Sequence, residues 1–467
     1  MMSIAAFRAD LGDIPQEDNP RIVQQRSRDH YWYSPVLKAK LDHVSAEVVV
    51  SPRTNEEVKT VLRAAYKHGV AITPRGAGTG NYGQAMPLSG GAMLNLMNMD
   101  KVLEIKKDRV RAQAGAVLEK LDHETKAAVG GELRFHPSTY RMASIGGFIA
   151  GGSGGVGSIR WGGLRALGSI LGLKIITCEA EPRELDLVGE DILKVAHAYG
   201  TNGIIVEAEM PLTEAHDWID VLVGFDDFIE AAAFSEKLAR QDGILLKELS
   251  PCAAPIPQDY FNRHKPYIKD GQSVVLIMVA PVSVEALALF VKHHKGEMLY
   301  RSDRASEEEL KRLPPVYELA WNHTTLRALK VDPSITYLQT RYPTLEHVKK
   351  IVALLGDELP MHIEMTRQDG LITYAGLPMV RYTSEERLEE IIRIHEENGC
   401  DVFNPHRFTL EEGGMKRTDQ KQLAFKREAD PKGILNPGKM IAWENPDYDF
   451  SSGKAWLFDG LNPVHAA

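Results

Sequence analysis

Cysteine is scarce in this chain, clustered positive charge is missing, and no apolar run is long enough to cross a bilayer. The three cysteines, Cys178, Cys252 and Cys400, stand far apart with no CxxC pair. That excludes a disulfide framework and a thiolate metal site, and it fits a reducing compartment, with the cytoplasm as the expected location. Asp and Glu outnumber Lys and Arg by 64 to 55, leaving a formal charge of -9. A surface that binds phosphate chains irrespective of sequence needs clustered cations, so nucleic acid is not an expected partner. No stretch approaches the roughly 20 apolar residues of a membrane helix. The opening MMSIAAFRADLGDIPQEDNP has too short an apolar run for a secretory leader.

What is present is ordinary globular composition, 43% hydrophobic and 25% charged, spread over 467 residues. That length exceeds what one hydrophobic core serves, so at least two domains and a large ligand site are expected. Residues 1–43 mix prolines, charges and the cluster Tyr31-Trp32-Tyr33, and read as an arm on the body. From there to residue 213 the pattern predicts a first domain. EVVVSP is a strand, Thr54 with Glu57 a capping box opening a helix that Gly69 ends, and VAITPRG a second strand. Residues 214–412 read as a second domain of strand-helix-strand units, such as DWIDVLVGF, FIEAAAFSEKLARQ and ILLKELS. An α+β fold follows, the second domain being an antiparallel sheet covered by helices on one face. Residues 413–467 carry ADPKGILNPGKMIAW and should return to the first domain, with an aromatic tail (Tyr448, Phe450, Trp456, Phe458) docked rather than free.

Two glycine-rich segments draw the chemistry to themselves. Pro74-Arg75-Gly76-Ala77-Gly78-Thr79-Gly80-Asn81-Tyr82-Gly83 follows a strand. Without β-carbons, successive backbone N–H groups converge on an anion, and Thr79 and Asn81 add side-chain donors, so a diphosphate fits. A plain structural turn is the alternative for this segment alone, because no helix and no acidic ribose partner follow it as in a nicotinamide site. The second segment, IGGFIAGGSGGVGSIRWGG, has too many glycines for a stable helix and reads as backbone pressed against a ligand. Its interleaved Ile145, Phe148, Ile149, Val156, Ile159 and Trp161 argue against a flexible linker.

Together with HPSTYRMAS before the second segment, GTNGIIVEAEMPL and DPKGILNPGKM after it, these motifs resemble, in order, the vanillyl-alcohol-oxidase superfamily of FAD-linked oxidases and dehydrogenases. Within it the glycolate oxidase and D-lactate dehydrogenase branch looks nearest. The resemblance covers residues 46–213 and 430–441, and the intervening domain by texture only. It implies a two-subdomain FAD-binding domain of the PCMH type and a cap domain that holds substrate. Carried to matching positions, it implies that Pro74, Arg75, Gly76, Ala77, Gly78, Thr79, Gly80, Asn81 and Gly83 wrap the FAD diphosphate. Pro137, Ser138, Ser144, Ile145, Gly146 and Gly147 would line diphosphate and ribityl, and Gly151, Gly152 and Ser153 would pass the flavin. Gly203, Ile204 and Ile205 would approach the adenine, and Asn436 the isoalloxazine. The first loop has no histidine and Cys178 is the nearest cysteine after the second, so the FAD is expected to be non-covalent.

The branch's metal motifs, HxGDGNxH-like and GEHG-like, are not intact. PMHIEMTRQDG and FNPHRFTLEEGGMK stand near their places, and their spacing gives no support for a metal. The expected reaction is oxidation of a small alcohol, foremost a D-2-hydroxy acid, by hydride transfer to flavin N5. A neutral imidazole suits the accompanying removal of the hydroxyl proton. His406 is the first candidate base and His362 the second, with structural roles as the alternative. Arg341, Arg367 and Arg407 are candidate carboxylate partners and Tyr374 a candidate hydroxyl, against the alternative of surface cations and packing. Phenol, sugar or amine donors on the same fold, a non-redox exchange, and a flavin-binding subunit without turnover are the competing readings. The expected partners are a small-molecule substrate and an electron acceptor the sequence does not name, with homo-oligomerisation compatible.

Overall fold

The computed structural model describes residues 4–414, 416 and 418–450. Its first small sheet orders the strands Gln16–Glu17, Val48–Val50, Ala92–Asn95 and Ile72–Arg75, the last three parallel. Between the second and fourth of these runs the helix Asn55–His68. Thr54 Oγ1 accepts from the Glu57 N–H, and Gly69 takes the left-handed conformation at its end. The predicted capping box is half formed, because the Glu57 carboxylate accepts from the Arg53 N–H (2.6 Å) instead of from Thr54. Val58, Val61, Leu62 and Ala65, on one face of this helix, pack on Val48, Val50, Ile72 and Leu94.

A second, antiparallel sheet orders Val102–Lys106, Arg109–Gln113, Ile204–Glu214, Gly172–Ile176 and Glu184–Leu187, and Gly131–Leu133 pairs with the far end of the long central strand. Against it lies Ile145–Gly151, which is helical despite its glycines. Ser144 caps it by accepting the Gly147 N–H, and Ile145, Phe148 and Ile149 are buried. A β-carbon on Gly146 would come within 2.6 Å of Ala114 Cβ. Close packing on the sheet thus outweighs the roughly 1 kcal/mol per glycine that propensity opposes, and the expectation of a non-helical ribbon is corrected here.

Beyond residue 214 the strands Leu246–Cys252, Ser273–Val279, Ile219–Phe225 and Glu297–Arg301 form one antiparallel sheet, and Ile363–Gln368, Leu371–Gly376, Gln339–Tyr342 and Asp401–Phe403 another. A bridge between Cys252 and His362 joins their edges. Helices Phe228–Ala239, Val284–His293, Leu345–Leu355 and Glu385–Glu397 share one core with one face of this surface. The other face is covered too, by Ile256, Phe261, Val316, Leu319 and the helix Asn322–Val331, which the sequence reading passed over.

The N-terminal arm does more than lie on the body. The Arg75 guanidinium donates to Arg28 O (2.7 Å) and the His30 N–H to Gly80 O (2.6 Å), so the arm grips the first glycine segment. Thr336 Oγ1 donates to Tyr33 O (2.8 Å), which ties the same stretch to the far side. Late in the chain, Leu435 bridges Ile72, and the Asn436 N–H donates to Ile72 O (2.8 Å), next to the start of the first glycine segment. Tyr448 and Phe450 pack with Tyr199, Leu410 and Trp443, while Trp456 and Phe458 lie outside the described residues.

Candidate active site

The two glycine segments meet. A β-carbon on Gly76 would stand 2.1 Å from Ser144 Oγ, the cap of the helix that opens the second segment. Gly78 has φ +70°, and a side chain there would run into the Arg75 guanidinium. Gln84 ties the segments a second time, accepting from the Tyr82 N–H (3.0 Å) and donating to Gly151 O (3.3 Å).

These segments wall one side of a cavity of about 1470 Å³, larger than the roughly 300–1,000 Å³ of an ordinary ligand site. Pro74 to Asn81, Pro137, Ser138, Ser144, Gly146, Gly147, Gly151 to Ser153, Ile204 and Ile205 all face it. A phosphate-sized anion fits this backbone cradle, and the volume accommodates a dinucleotide with a small molecule beside it. Gly83, Ile145, Gly203 and Asn436 are not on the wall. Ile145 is core, and Gly203 turns with φ +104° beside Ile175. Asn436 donates to Gln84 O (2.8 Å) and Tyr199 O (2.7 Å), holding the wall from behind. Arg75, buried in the cradle, has its pKa drawn down to about 10 by desolvation.

The other side of the cavity comes from the second domain and from the arm: Trp321, Asn322 and His323, the strands around Thr340 and Thr366, Phe403, and Asp29, His30 and Tyr33. Arg341 and Arg367 face it. Arg341 is already paired, its Nε 2.7 Å from Asp401 Oδ2. Arg367 instead donates to the carbonyls of Ile159 (3.4 Å) and Gly370 (3.2 Å). His406, His362, Arg407 and Tyr374 are absent from the wall. Arg407 pairs with Glu389 (2.7 Å) on a helix outside the cavity, and Tyr374 is packed in the second-domain core.

His406 has both ring nitrogens engaged. Ser34 Oγ, which accepts from the Leu37 N–H, donates to Nδ1 (2.7 Å), and Nε2–H donates to Tyr337 O (2.9 Å). Burial holds its pKa down at about 3. The imidazole therefore fastens the arm to the second domain and has no lone pair for a substrate, so the base role expected of it is not carried further. His362 is likewise enclosed, 2.8 Å from Glu364 Oε1, and burial lowers its pKa to about 3.

Two histidines that the sequence reading did not single out do face the cavity. His323 Nδ1 lies 3.1 Å from Glu318 Oε2, within ion-pair reach but off the line of a hydrogen bond. Burial opposes charge on Glu318, but His323 at hydrogen-bond distance, with Arg141 and Arg327 nearby, holds its pKa below the usual carboxylate range. His30 lies stacked on Tyr33, ring centroids 5.7 Å apart, and burial, then Arg75 and His323, lower its pKa. Cys178 is buried, and desolvation raises its thiol pKa; it is not part of the wall. Among the described residues, no group of three or more His, Cys, Asp and Glu side chains is arranged to hold a metal, and no helix is long and apolar enough to cross a membrane.

Comparison with known proteins gives this geometry its context. Residues 46–186 match the FAD binding domain family. The chain is 28% identical over 431 residues to glycolate oxidase subunit GlcD of Bacillus subtilis, covering 85% of this chain and 89% of that protein. It is 25% identical over 454 residues to D-lactate dehydrogenase of Anaerostipes hadrus, covering 90% and 84%. Among solved structures, alkyldihydroxyacetonephosphate synthase superposes with a TM-score of 0.70 at 15% identity, covering 93% of this chain and 84% of that one. That last likeness bears on the fold alone. Cradle, cavity and kinship agree: the chain is an FAD-dependent oxidoreductase built on a PCMH-type FAD-binding domain.

Proposed function

We propose that this flavoprotein is a dehydrogenase of small D-2-hydroxy acids, with non-covalent FAD and a separate electron acceptor. One observation carries the reading. The cavity wall opposite the glycine cradle presents Arg367, whose hydrogen bonds go to main-chain carbonyls, together with His323, whose ring lies beside the Glu318 carboxylate. A guanidinium fork is suited to a carboxylate and an imidazole to a hydroxyl proton. The kinship with glycolate oxidase and D-lactate dehydrogenase points to the same donor class.

When bound, FAD supplies a hydride acceptor at N5; the protein does the rest. The backbone of Gly76 to Gly80, with Thr79 and Asn81, binds the diphosphate. Arg367 pairs with the substrate carboxylate and fixes which face of the α-carbon is presented. His323 Nε2 takes the hydroxyl proton, and Glu318 steadies the imidazolium that results. Tyr33, Trp321 and Phe403 close the cavity with aromatic surface and thin the water around the reacting atoms. Anaerobic addition of glycolate, D-lactate or D-2-hydroxyglutarate tests the reading. Bleaching of the oxidised flavin band is expected, and no bleaching by any of a broad hydroxy-acid panel would sink it.

A further inference from the structure

Behind the substrate-facing wall lies a closed polar cluster that the proposed chemistry does not use. It sits where the strand Leu246–Cys252 meets the strand Ile363–Gln368, and it consists of Glu248, Ser250, His362 and Glu364, each at most 3% exposed. Two carboxyl groups in such a place are costly unless they are hydrogen-bonded and share a proton. Glu364 Oε1 accepts from Ser250 Oγ (3.2 Å), from His362 Nε2–H (2.8 Å) and from the main-chain N–H of Trp321 (2.5 Å). Burial raises the Glu364 pKa to about 7, and the three donors converging on one oxygen favour its ionised form over that of Glu248. Glu248, in hydrogen-bond contact with it, is then the acid, and its pKa is raised well above normal by burial and by Glu364. Glu248 Oε2 in turn accepts from the Trp321 indole Nε1–H (3.0 Å).

Trp321 is thus held at both ends, main chain by Glu364 and ring by Glu248. It needs holding, because its backbone lies at φ +53°, ψ -142°, a conformation that is strained for a non-glycine residue. It immediately precedes the helix Asn322–Val331, so its placement sets Asn322 and His323 on the wall as well. Its ring edge reaches the second glycine segment, Cη2 lying 3.6 Å from where a β-carbon on Gly154 would be.

We infer that Trp321 is the aromatic wall against the flavin end of the bound FAD, and that Glu364 and Glu248 are positioning residues that clamp it there. The inference rests on the FAD site and not on which donor is oxidised. An indole against an isoalloxazine quenches flavin emission by electron transfer, so the purified holoprotein reports the clamp without any substrate.

The experiment compares flavin fluorescence and the visible absorption band of four proteins at equal FAD occupancy. Trp321→Phe should emit several-fold more brightly than the parent, with altered fine structure in the flavin band. Glu364→Gln should brighten to an intermediate level, because an amide oxygen holds the Trp321 main chain less tightly than a carboxylate and the ring follows its backbone. Glu248→Gln should stay close to the parent, since an amide keeps an acceptor for the indole and a donor toward Glu364. A Trp321→Phe protein as dark as the parent with the same band would overturn the placement of the ring. Equal behaviour of Glu364→Gln and Glu248→Gln would overturn the clamp. If Glu364→Gln does not fold, Trp321→Phe, which keeps most of the bulk, still decides the ring, and Glu248→Leu, which takes the acceptor away from the indole, decides the clamp. Glu248→Leu should brighten to an intermediate level, and emission as dark as the parent would contradict a role exerted through the indole. Loss of the proposed hydroxy-acid activity would leave all four readings intact.

Discussion

Ser144 Oγ occupies the place a side chain on Gly76 would need, 2.1 Å from the position of its β-carbon. The serine caps the helix Ile145–Gly151, so the contact locks the first glycine segment to the second. Gly76→Ala should push Ser144 off its cap, at about 1 kcal/mol of local stability, and the purified protein should carry little FAD. Removing the hydroxyl as well, in Gly76→Ala with Ser144→Ala, leaves a nearest contact of 3.3 Å to Cβ and should recover part of the FAD. Full FAD in the single variant, measured by flavin absorbance per chain, would show that the cradle lies elsewhere.

Proton removal is assigned to His323. His323→Gln should lower the limiting rate of flavin reduction by about 10²–10⁴-fold, the usual contribution of a general base, with FAD content unchanged. His406→Gln keeps a donor and an acceptor for Tyr337 and Ser34 and should leave that rate within a few-fold. Rapid-mixing absorbance under anaerobic conditions separates the two, and the opposite ranking would return the base to the C-terminal loop.

Arg367 is assigned to the substrate carboxylate. Losing a hydrogen bond to a charged group costs about 1.5–3 kcal/mol, so Arg367→Met should raise KM for a hydroxy acid by roughly 10- to 100-fold. Arg341→Met, whose side chain already serves Asp401, should move KM less. Steady-state kinetics with a dye acceptor reads both.

Acid should weaken the parent relative to His406→Gln. The buried imidazole titrates at about 3 against about 6.5 in an unfolded chain. Between those values the unfolded state binds the extra proton, and stability drains away as pH falls. Above about pH 6.5 the contribution is fully present. Buried Asp122 and Asp220, raised to about 6 and about 7 by desolvation, act in the opposite sense, so the informative quantity is the difference between variant and parent. That difference should change by up to about 1.4 kcal/mol per pH unit as the pH is taken from 6.5 toward 4 in denaturant titrations; a constant difference would mean that the imidazole is not buried neutral.

The cradle was legible because glycine is the only residue that permits its geometry: Gly76, Gly78 and their neighbours leave a mark that one chain displays. The helix Ile145–Gly151 was misread for the same reason, since glycine counts against a helix until one sees Gly146 pressed on Ala114. Most second-domain strands and helices announced themselves by periodicity, whereas Asn322–Val331 did not: its buried positions, His323, Thr324, Thr325 and Ala328, are hardly hydrophobic. That blind spot hid His323. His30 was hidden differently, in an arm whose path between the glycine loop and Tyr337 follows from contacts across some 300 residues of sequence, which no local pattern encodes. His406 and His362 attracted attention as histidines, but side-chain identity does not tell whether the ring nitrogens are engaged, as in His406, or enclosed away from the cavity, as in His362.

The most direct measurement is the limiting rate of flavin reduction in anaerobic rapid mixing of the FAD-loaded protein with D-lactate, glycolate and D-2-hydroxyglutarate, parent against His323→Gln. The account predicts that at least one of these acids bleaches the flavin of the parent in a saturable phase, and that His323→Gln, equally loaded with FAD, slows that phase by about 10²-fold or more. Bleaching at the same rate in both proteins, or by none of the acids in the parent, would contradict it.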